Sequence, residues 1–393
     1  MKGSKGLSKV SEIYEDRSRR IKELKAEGRK VIGYTCIYVP VEILNALGLI
    51  PYRIFGDIKE PITQADRVLP TSFCPFMRNC LDSVYKGKYD FLDGIVGVHS
   101  CDPQEKTCHI WKSTKNYPFF PYIDIPATTH EWSLKAFKGV LNDFVKNCQS
   151  FSKKKFSLNE LKESIGLYNQ QRALVRELYE LRKSEPPLIS GVETLQVMVA
   201  LESIPVEEGN ELVKEVITEV KGRKKDSEKK HKRILIWGGS IDNVTLVQLI
   251  EDYDANLVMD DNCVGSRKYF SDVKLVEDPI EGLAQHYLKG LPVPRTFKEA
   301  VVGEAKKDRM ADLTARFGYI GNYIKEWKVD GVIFQLVRFC DPHAYELVDI
   351  EDYVDSLGIP NIYLEHDYTE GSLAPLRTRV QAFLEQLPLK LTE

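Results

Sequence analysis

The sequence predicts an α/β protein built from two three-layer domains of parallel β-sheet, which face each other across a cleft and are joined by a mainly helical segment. In both halves of the chain, short apolar stretches typical of buried strands alternate with stretches of helical periodicity. Such alternation requires crossover connections and therefore a mainly parallel sheet. The length of 393 residues is also too great for one ordinary core and fits two or three domains of roughly 100–200 residues each.

The first 132 residues divide into an N-terminal helix and the first α/β domain. Residues 1–30 are predicted to form the helix, because apolar residues recur in a narrow stripe at helical spacing. The stripe consists of Val10, Ile13, Tyr14, Ile21 and Leu24. Residues 31–132 are predicted to form the domain, with strands over 30–35, 50–55, 93–98 and 119–125 and a helix over 40–47.

Residues 133–233 are predicted to form a helical segment that ends in a basic linker. The helical pattern is broken near Pro186, Pro187 and Pro205, because proline lacks the N–H that a helix interior needs. The Lys/Arg-rich run over 221–233 is interpreted as a solvated linker and domain boundary rather than a nucleic-acid-binding arm. Residues 234–393 are predicted to form the second α/β domain, with strands over 233–237, 256–259, 331–337 and 361–365.

Composition excludes several functional classes. Basic and acidic residues number 55 and 58, and the net charge of −3 gives no indication of a nucleic-acid or anionic-membrane surface. No window has the ~18 uncharged apolar residues of a membrane span, and no apolar signal core follows the N-terminus. We therefore expect a cytoplasmic protein that binds neither nucleic acid nor membrane. Because P-loop and dinucleotide motifs are missing, we expect this chain to bind no nucleotide.

The positions of the cysteines are more informative than their number. Eight cysteines are too few for a disulfide framework in a chain of this length. Four of them directly follow predicted strands, namely Cys36, Cys101, Cys263 and Cys340. Ligands of open parallel sheets bind beyond the carboxyl ends of the strands. These four thiols, two in each domain, are therefore predicted to lie where a site is built.

Proline positions single out a subset of the cysteines. A proline stands one residue after Cys74 and two residues after both Cys101 and Cys340. Because proline favours the first turn of a helix, each of these cysteines is predicted at a helix N-terminus, where free N–H groups and the helix dipole stabilise a thiolate. Three such thiolates indicate a metal or cluster site. Cys80, Cys108 and Cys148 lack a following proline and are predicted to lie inside helices, and Cys148 is predicted to be a packing residue.

The spacing of the cysteines bears on the metal. Zinc sites normally contain paired ligands two to four residues apart, and no such pair occurs here. Ligands that are far apart in sequence and converge from separate strand ends favour an iron–sulfur cluster. In each half, moreover, an apolar strand preceded by Asp-Gly leads to Cys-Asp-Pro, at Cys101 and at Cys340. We infer two similar domains, each of which contributes ligands across the cleft.

Five blocks of the sequence together resemble the 2-hydroxyacyl-CoA dehydratase and benzoyl-CoA reductase family. They are residues 33–42, 73–78, 93–102, 339–343 and 376–383, and they occur in the order typical of the family. The resemblance implies two α/β domains and an iron–sulfur cluster whose ligands map onto Cys74, Cys101 and Cys340. It also implies a homologous partner subunit in a hetero- or homodimer, a separate ATP-hydrolysing iron–sulfur activator and an acyl-CoA substrate.

One branch of this family holds a double-cubane 8Fe–9S cluster instead of a 4Fe–4S cluster and uses more cysteines. Cys36 and Cys263 match positions where members of that branch carry cysteine, whereas a further cysteine typical of the branch is absent from residues 86–89. Cys80 and Cys108 are additional candidate ligands, with core packing as the alternative. Both cluster types are kept as hypotheses.

The function implied by the resemblance is that of an iron–sulfur subunit in an ATP-activated, low-potential system that passes single electrons to a CoA thioester. The outcome would be loss of water from a 2-hydroxyacyl-CoA or dearomatisation of a benzoyl-type ring. Alternatives are a double-cubane protein that reduces small molecules, a non-catalytic electron-relay subunit, and a zinc-binding or metal-free scaffold. Candidate catalytic residues are His99 and His343 near strand ends, and Glu42, which matches the family's Pro-x-Glu position.

Overall fold

The computed structural model describes residues 5–223, 232–298 and 308–388. Within these ranges the chain is an α/β protein with parallel sheets in both halves, as predicted. Most of the basic run over 221–233 falls on residues 224–231, outside the described residues. None of the helices in the described ranges is both long and apolar enough to cross a lipid bilayer.

The N-terminal region forms two helices, α1 (Lys5–Glu15) and α2 (Arg19–Ala26), rather than the single helix predicted. The break arises because Asp16 Oδ1 accepts hydrogen bonds from the backbone N–H and the hydroxyl of Ser18, at 3.3 and 3.1 Å. Such local side-chain turns compete with helical hydrogen bonding. Glu219 accepts hydrogen bonds from the first N–H groups of α1 at 3.0 and 3.1 Å, which anchors α1 to the helical segment.

The first half contains two small parallel sheets. Their strands are β1 (Lys30–Tyr34), β2 (Leu49–Arg53), β3 (Gly94–Ile95), β4 (Gly97–His99) and β5 (Tyr122–Asp124). β1 lies between β2 and β3, and β4 pairs with β5. The strand predicted over 93–98 is divided at Val96, because the chain changes its pairing partner there from β1 to β5. The helices of this half are α3 (Val41–Ala46), α4 (Pro75–Tyr85) and α5 (Asp102–Thr114).

The middle of the chain is helical, as predicted. Its helices are α6 (Glu131–Ser152), α7 (Leu158–Glu180), α8 (Gly191–Leu201) and α9 (Val206–Lys221). α7 ends before Pro186, and Pro205 directly precedes α9, so the breaks expected at prolines are confirmed. α8 begins with a capping box, in which Ser190 and Glu193 each bond the other's backbone N–H at 3.0 Å.

The second half is built on one parallel sheet with the strand order β7-β6-β8-β9. Its strands are β6 (Lys232–Gly238), β7 (Ala255–Asp261), β8 (Gly331–Val337) and β9 (Asn361–His366). Its helices are α10 (Val244–Glu251), α11 (Ser266–Tyr269), α12 (Pro279–Gln285), α13 (Arg309–Glu326), α14 (Asp341–Ser356), α15 (Glu370–Leu373) and α16 (Leu376–Gln386). A π-helical turn, His286–Gly290, follows α12.

Both halves reverse their strand order beside the first strand of the sheet. β2 and β3 lie on opposite sides of β1, and β7 and β8 lie on opposite sides of β6. Ligands of open parallel sheets bind at such a reversal, beyond the carboxyl ends of the strands that flank it. Residues that follow β1, β4, β6 and β8 are therefore well placed to build a site.

A buried charge network joins both halves to the helical segment. Glu202, directly after α8, accepts hydrogen bonds from Tyr34 Oη at 2.5 Å and Lys268 Nζ at 2.6 Å. The guanidinium of Arg53 lies 3.8 Å from the same carboxylate. By itself, burial would raise the pKa of Glu202. The charges of Lys268 and Arg53 outweigh this effect and hold the pKa below its usual value. Because buried charges are costly unless they are paired, this network fixes how β1, β2 and α11 meet α8.

Candidate metal centre

Cys74, Cys101 and Cys340 each lie immediately before the first residue of a helix, namely α4, α5 and α14. A proline occupies the first turn of each of these helices, as the sequence indicates. At this position the unpaired N–H groups of a helix start are directed toward the cysteine. Cys101 follows β4 and Cys340 follows β8, so each half of the chain contributes a cysteine at a strand end.

The three thiols lie close together in space. After burial, the largest influence on the pKa of Cys340 is the negative charge of Cys74, followed by that of Cys101, and all three effects raise it. Burial and the charge of Cys74 likewise raise the pKa of Cys101. Such charge effects fall off with distance. Cysteines from both halves of the chain therefore share one region, in which Cys74 is buried and Cys101 and Cys340 are partly exposed.

The three sulfurs do not all lie within 4.8 Å of one another. Among the described residues, the set of His, Cys, Asp and Glu side chains whose ligand atoms all lie within 4.8 Å of one another is His99, Asp102 and Glu105, and it includes no cysteine. A tetrahedral zinc ion about 2.3 Å from each sulfur needs sulfurs about 3.8 Å apart. A polynuclear cluster, whose sulfur ligands bind different metal atoms, fits the wider spacing better.

Burial is the strongest influence on each of these thiols. It raises the pKa of Cys74, and the N–H groups of Phe76 and Met77 offset part of that rise. Burial also raises the pKa of Cys101 and of Cys340, and an N–H group at the start of the following helix offsets part of each rise. A bound metal cation stabilises the thiolate form and thereby overcomes the effect of burial. The donor set therefore fits a group that is ligated by thiolates.

Two glycines lie at the end of β6, Gly238 as its last residue and Gly239 directly after it, near Cys340. A Cβ atom added at Gly239 would lie 4.0 Å from the sulfur of Cys340. One added at Gly238 would lie 2.2 Å from the carbonyl oxygen of Gln335, a distance that only glycine permits. Close packing of β6 against β8 thus explains Gly238, whereas a side chain at Gly239 would meet only ordinary contacts.

Cys36 and Cys263 form a second pair of thiols, which follow β1 and β7. Cys36 Sγ donates to the hydroxyl oxygen of Ser100 at 3.2 Å, and Cys263 Sγ accepts from Arg267 Nη1 at 3.5 Å. Burial raises the pKa of Cys36, and the charge of Cys263 adds to this rise. The charge of Cys36 in turn acts on Cys101. The cysteines at the strand ends of both halves therefore meet in one region.

Cys80, Cys108 and Cys148 lie inside α4, α5 and α6, as predicted, and all three are fully buried. Besides burial, the charge of Cys74 acts on Cys80 and that of Cys36 acts on Cys108. Burial alone raises the pKa of Cys148. Cys80 and Cys108 therefore adjoin the other thiols, whereas Cys148 is a packing residue.

The two histidines expected at the site have different surroundings. His343 is buried, with its Nδ1 3.3 Å from Cys340 Sγ and its Nε2 3.0 Å from Arg267 Nη1. Burial and the charge of Arg267 hold the pKa of His343 well below its usual value. His99 ends β4, its side chain is 29% exposed, and its Nδ1 lies 2.8 Å from Asp124 Oδ1. His99 is therefore the member of the pair that solvent reaches.

Glu42 lies in the first turn of α3 and is fully buried. Its carboxylate accepts hydrogen bonds from Arg172 Nη2 at 2.5 Å and from Tyr287 Oη at 2.7 Å. These partners come from α7 and from the π-helical turn, so Glu42 joins three helical elements. Both carboxylate oxygens are engaged in these contacts, and a role of Glu42 in catalysis stays a prediction.

Two arginines, Arg267 and Arg53, contact residues of the cysteine region, and sequence reasoning did not identify them. Arg267 contacts Cys263 and His343, and it forms two hydrogen bonds with the carboxylate of Asp261, at 2.9 and 3.1 Å. Arg53 Nη1 donates to the carbonyl oxygen of Cys263 at 2.9 Å. The sequence contained one signal for Arg267, namely Asp261 at the end of β7. A buried carboxylate requires a cation nearby.

The comparison with known families gives this geometry a context. Residues 36–387 match the family model described as 2-hydroxyglutaryl-CoA dehydratase, D-component. The chain belongs to this family. The matched range contains all eight cysteines of the chain and both arginines beside them.

Several relatives match nearly the whole chain. It is 26% identical over 387 residues to the (R)-phenyllactyl-CoA dehydratase beta subunit of Clostridium sporogenes, with 98% of this chain and 99% of the relative covered. It is 26% identical over 395 residues to a benzoyl-CoA reductase subunit of Thauera aromatica, with 98% of both covered. It is 24% identical over 371 residues to the (R)-2-hydroxyglutaryl-CoA dehydratase subunit beta of Acidaminococcus fermentans, with 92% and 94% covered. All three relatives are named as subunits, so the chain resembles components of multi-subunit enzymes.

We expect Glu42→Gln to lower the stability of the fold. The substitution leaves the guanidinium of Arg172 buried without a countercharge, and breaking a buried pair in this way costs about 3–5 kcal/mol. Urea unfolding measures the loss. Lys9→Gln, which disrupts the exposed pair of Lys9 and Glu215, is the matched control and should change stability far less. A Glu42→Gln protein as stable as the wild type would contradict the structural role.

Proposed function

We propose that the chain is the iron–sulfur subunit of a system that delivers single electrons to an acyl-CoA, with Cys74, Cys101 and Cys340 as the ligands of a 4Fe–4S cluster. One observation carries the proposal: three thiols that begin helices in both halves of the chain act on one another in a largely buried region. The family supports the substrate class. The cluster would supply low-potential electrons, one at a time, to the thioester.

Positively charged residues near the thiols support a site for a cluster bound by negatively charged thiolates. Thiolates would bring negative charge into a largely buried region, and such charge needs compensation. Arg53 and Arg267 are both fully buried and lie against the residues of the second cysteine pair. Their charges, together with the N–H groups at the helix starts, offset the charge of the thiolates.

His99 is the best-placed candidate for moving a proton. Its Nδ1 faces Asp124, which leaves Nε2 to exchange a proton, and this atom lies 3.9 Å from Glu105. Both ring nitrogens of His343 have partners in the buried region, and the carboxylate of Glu42 is engaged by Arg172 and Tyr287. Exposure therefore favours His99 over the other two candidates.

The proposal includes partners. The relatives are themselves named as subunits of larger enzymes, which supports a homologous partner for this chain, in a hetero- or homodimer. Because the sequence carries no nucleotide-binding motif, the energy of ATP must enter through another protein, an ATP-hydrolysing iron–sulfur activator. Dehydration of a 2-hydroxyacyl-CoA and dearomatisation of a benzoyl-type ring both use this supply of electrons. A chain that only relays electrons to its partner is the non-catalytic alternative.

Iron analysis tests the ligand assignment. We expect the chain, purified or reconstituted without oxygen, to hold about four irons with the visible absorption of a 4Fe–4S cluster. Cys101→Ser should lose most of this iron, because one thiolate ligand is removed from a set of three. Cys148→Ser, a buried cysteine influenced by burial alone, should keep it. Equal iron in the Cys101→Ser and wild-type proteins would remove Cys101 from the ligand set.

A double-cubane cluster is the second candidate, because the charges of Cys36, Cys263 and Cys80 are coupled to those of the first three thiols, and that of Cys108 is coupled to Cys36. Such a cluster would raise the iron content to about eight per chain. Cys36→Ser combined with Cys263→Ser should then lower the iron content by roughly half. For a single cubane the same double variant should keep its four irons, and that result would reject the larger cluster.

Replacement of His99 tests the proton donor. In the complex of the chain with its partner subunit and activator, His99→Gln should lower turnover about 10²–10⁴-fold if its imidazole is the general acid or base. The iron content should not change. His109→Gln is the control, since His109 is a more exposed histidine that lies beside the same Glu105. Turnover equal to that of the wild type in His99→Gln would exclude His99 from proton transfer.

A further inference from the structure

The imidazole of His343 lies between a cysteine and an arginine. Its Nδ1 is 3.3 Å from the Sγ of Cys340, and its Nε2 is 3.0 Å from Nη1 of Arg267. His343 and Arg267 are both buried, with 5% and 1% of their surfaces exposed. Neither ring nitrogen therefore depends on water for its hydrogen bond.

The chemistry of arginine decides which ring nitrogen carries the proton. A guanidinium only donates hydrogen bonds, so the contact of Nη1 with Nε2 is a hydrogen bond when Nε2 presents its lone pair, and the carbonyl oxygen of Gly238 is the competing acceptor for a proton on Nε2. In a neutral imidazole the proton then resides on Nδ1. We infer that Arg267 fixes His343 as the Nδ1–H tautomer and thereby makes its ring donate a hydrogen bond to the sulfur of Cys340.

Arg267 is itself held rigidly. Asp261 accepts two hydrogen bonds from its guanidinium, at 2.9 and 3.1 Å, and the hydroxyl of Tyr319 donates to the same carboxylate at 2.9 Å. Nη1 also lies 3.1 Å from the carbonyl oxygen of Gly238 and 3.5 Å from Cys263 Sγ, so its two N–H groups are shared among three acceptors, including Nε2 of His343. A guanidinium fixed at both ends cannot turn away from the imidazole. Arg267 is therefore a positioning residue, which acts on Cys340 through His343.

The imidazole also packs against the ring of Trp237. The rings of Trp237 and His343 pack edge to face with their centroids 5.3 Å apart. This contact fixes the plane of the imidazole, so its Nδ1 stays directed at the sulfur. Both the tautomer and the orientation of His343 are thus set by neighbours that the chain supplies itself.

The consequence for function rests on the proposed cluster. A hydrogen bond to a ligand sulfur draws negative charge from it and raises the reduction potential of the cluster. His343 would therefore make the cluster easier to reduce than the same three cysteines alone. The seven histidines of the chain include no other whose ring lies in hydrogen-bond contact with a cysteine among the described residues.

The tautomer is measurable without any cluster. In the metal-free protein labelled with ¹⁵N-histidine, a long-range ¹H–¹⁵N spectrum separates the two tautomers by their nitrogen shifts, and His343→Gln identifies the signal. We expect a single Nδ1–H tautomer. A signal from Nε2–H, with that proton directed to the nearby carbonyl of Gly238, would overturn the inference.

A charge-balanced variant tests the role of Arg267. Arg267→Met combined with Asp261→Asn removes both members of the buried pair, so no uncompensated charge remains. Without the donor at Nε2, we expect His343 to populate both tautomers. A single Nδ1–H tautomer in this variant would contradict the role of Arg267.

The potential of the cluster tests the effect on Cys340. His343→Phe keeps a ring in place but removes its N–H, so we expect a more negative midpoint potential in an anaerobic redox titration. His366→Phe is the control, because His366 is a buried histidine whose ring bonds Gln335 at 2.5 Å. Equal shifts in both variants, or none in His343→Phe, would contradict the inference. A wild-type chain without a cluster would reject the proposed function instead, and the tautomer spectrum would still decide the inference.

Discussion

The position of three thiols in a largely buried region is the constraint on which the proposed site depends. Removal from water favours the neutral thiol, and it raises the pKa of Cys74, Cys101 and Cys340. Each of these cysteines begins a helix, where free N–H groups favour the thiolate. Two buried arginines, Arg53 and Arg267, add positive charge beside the neighbouring cysteine pair. In the proposed function, the positive charge of a bound metal cation would complete this balance of charge.

The buried cations require partners of their own, and these partners connect distant parts of the chain. Arg267 is paired with Asp261 at the end of β7, and Arg53 lies beside Glu202 after α8. Replacing a buried ion pair with apolar residues often leaves stability unchanged or raises it, so stability alone does not account for such pairs. Here they hold the ends of strands from both halves in one arrangement. Positioning of the cysteines is therefore the better explanation for them.

Local patterns in the sequence predicted the part of the site that depends on local structure. Cys74 and Cys340 could be placed at helix starts because a proline follows each within two residues. The contact of Arg53 with Cys263 joins residues 210 positions apart, and that of Arg172 with Glu42 joins residues 130 positions apart. Spacing rules relate residues that are near one another in the sequence, so they do not predict such contacts. The division of the strand over 93–98 escaped prediction for a related reason, since pairing partners from other segments decide it.

Anomalous diffraction at the iron edge, from crystals of the chain grown without oxygen, tests the central claim most directly. The account predicts one compact group of iron atoms within bonding distance of the sulfurs of Cys74, Cys101 and Cys340. A larger group that also reaches Cys36 and Cys263 would support the double cubane. Iron bound at His99, Asp102 and Glu105 instead, or no iron beside the three cysteines, would contradict the account.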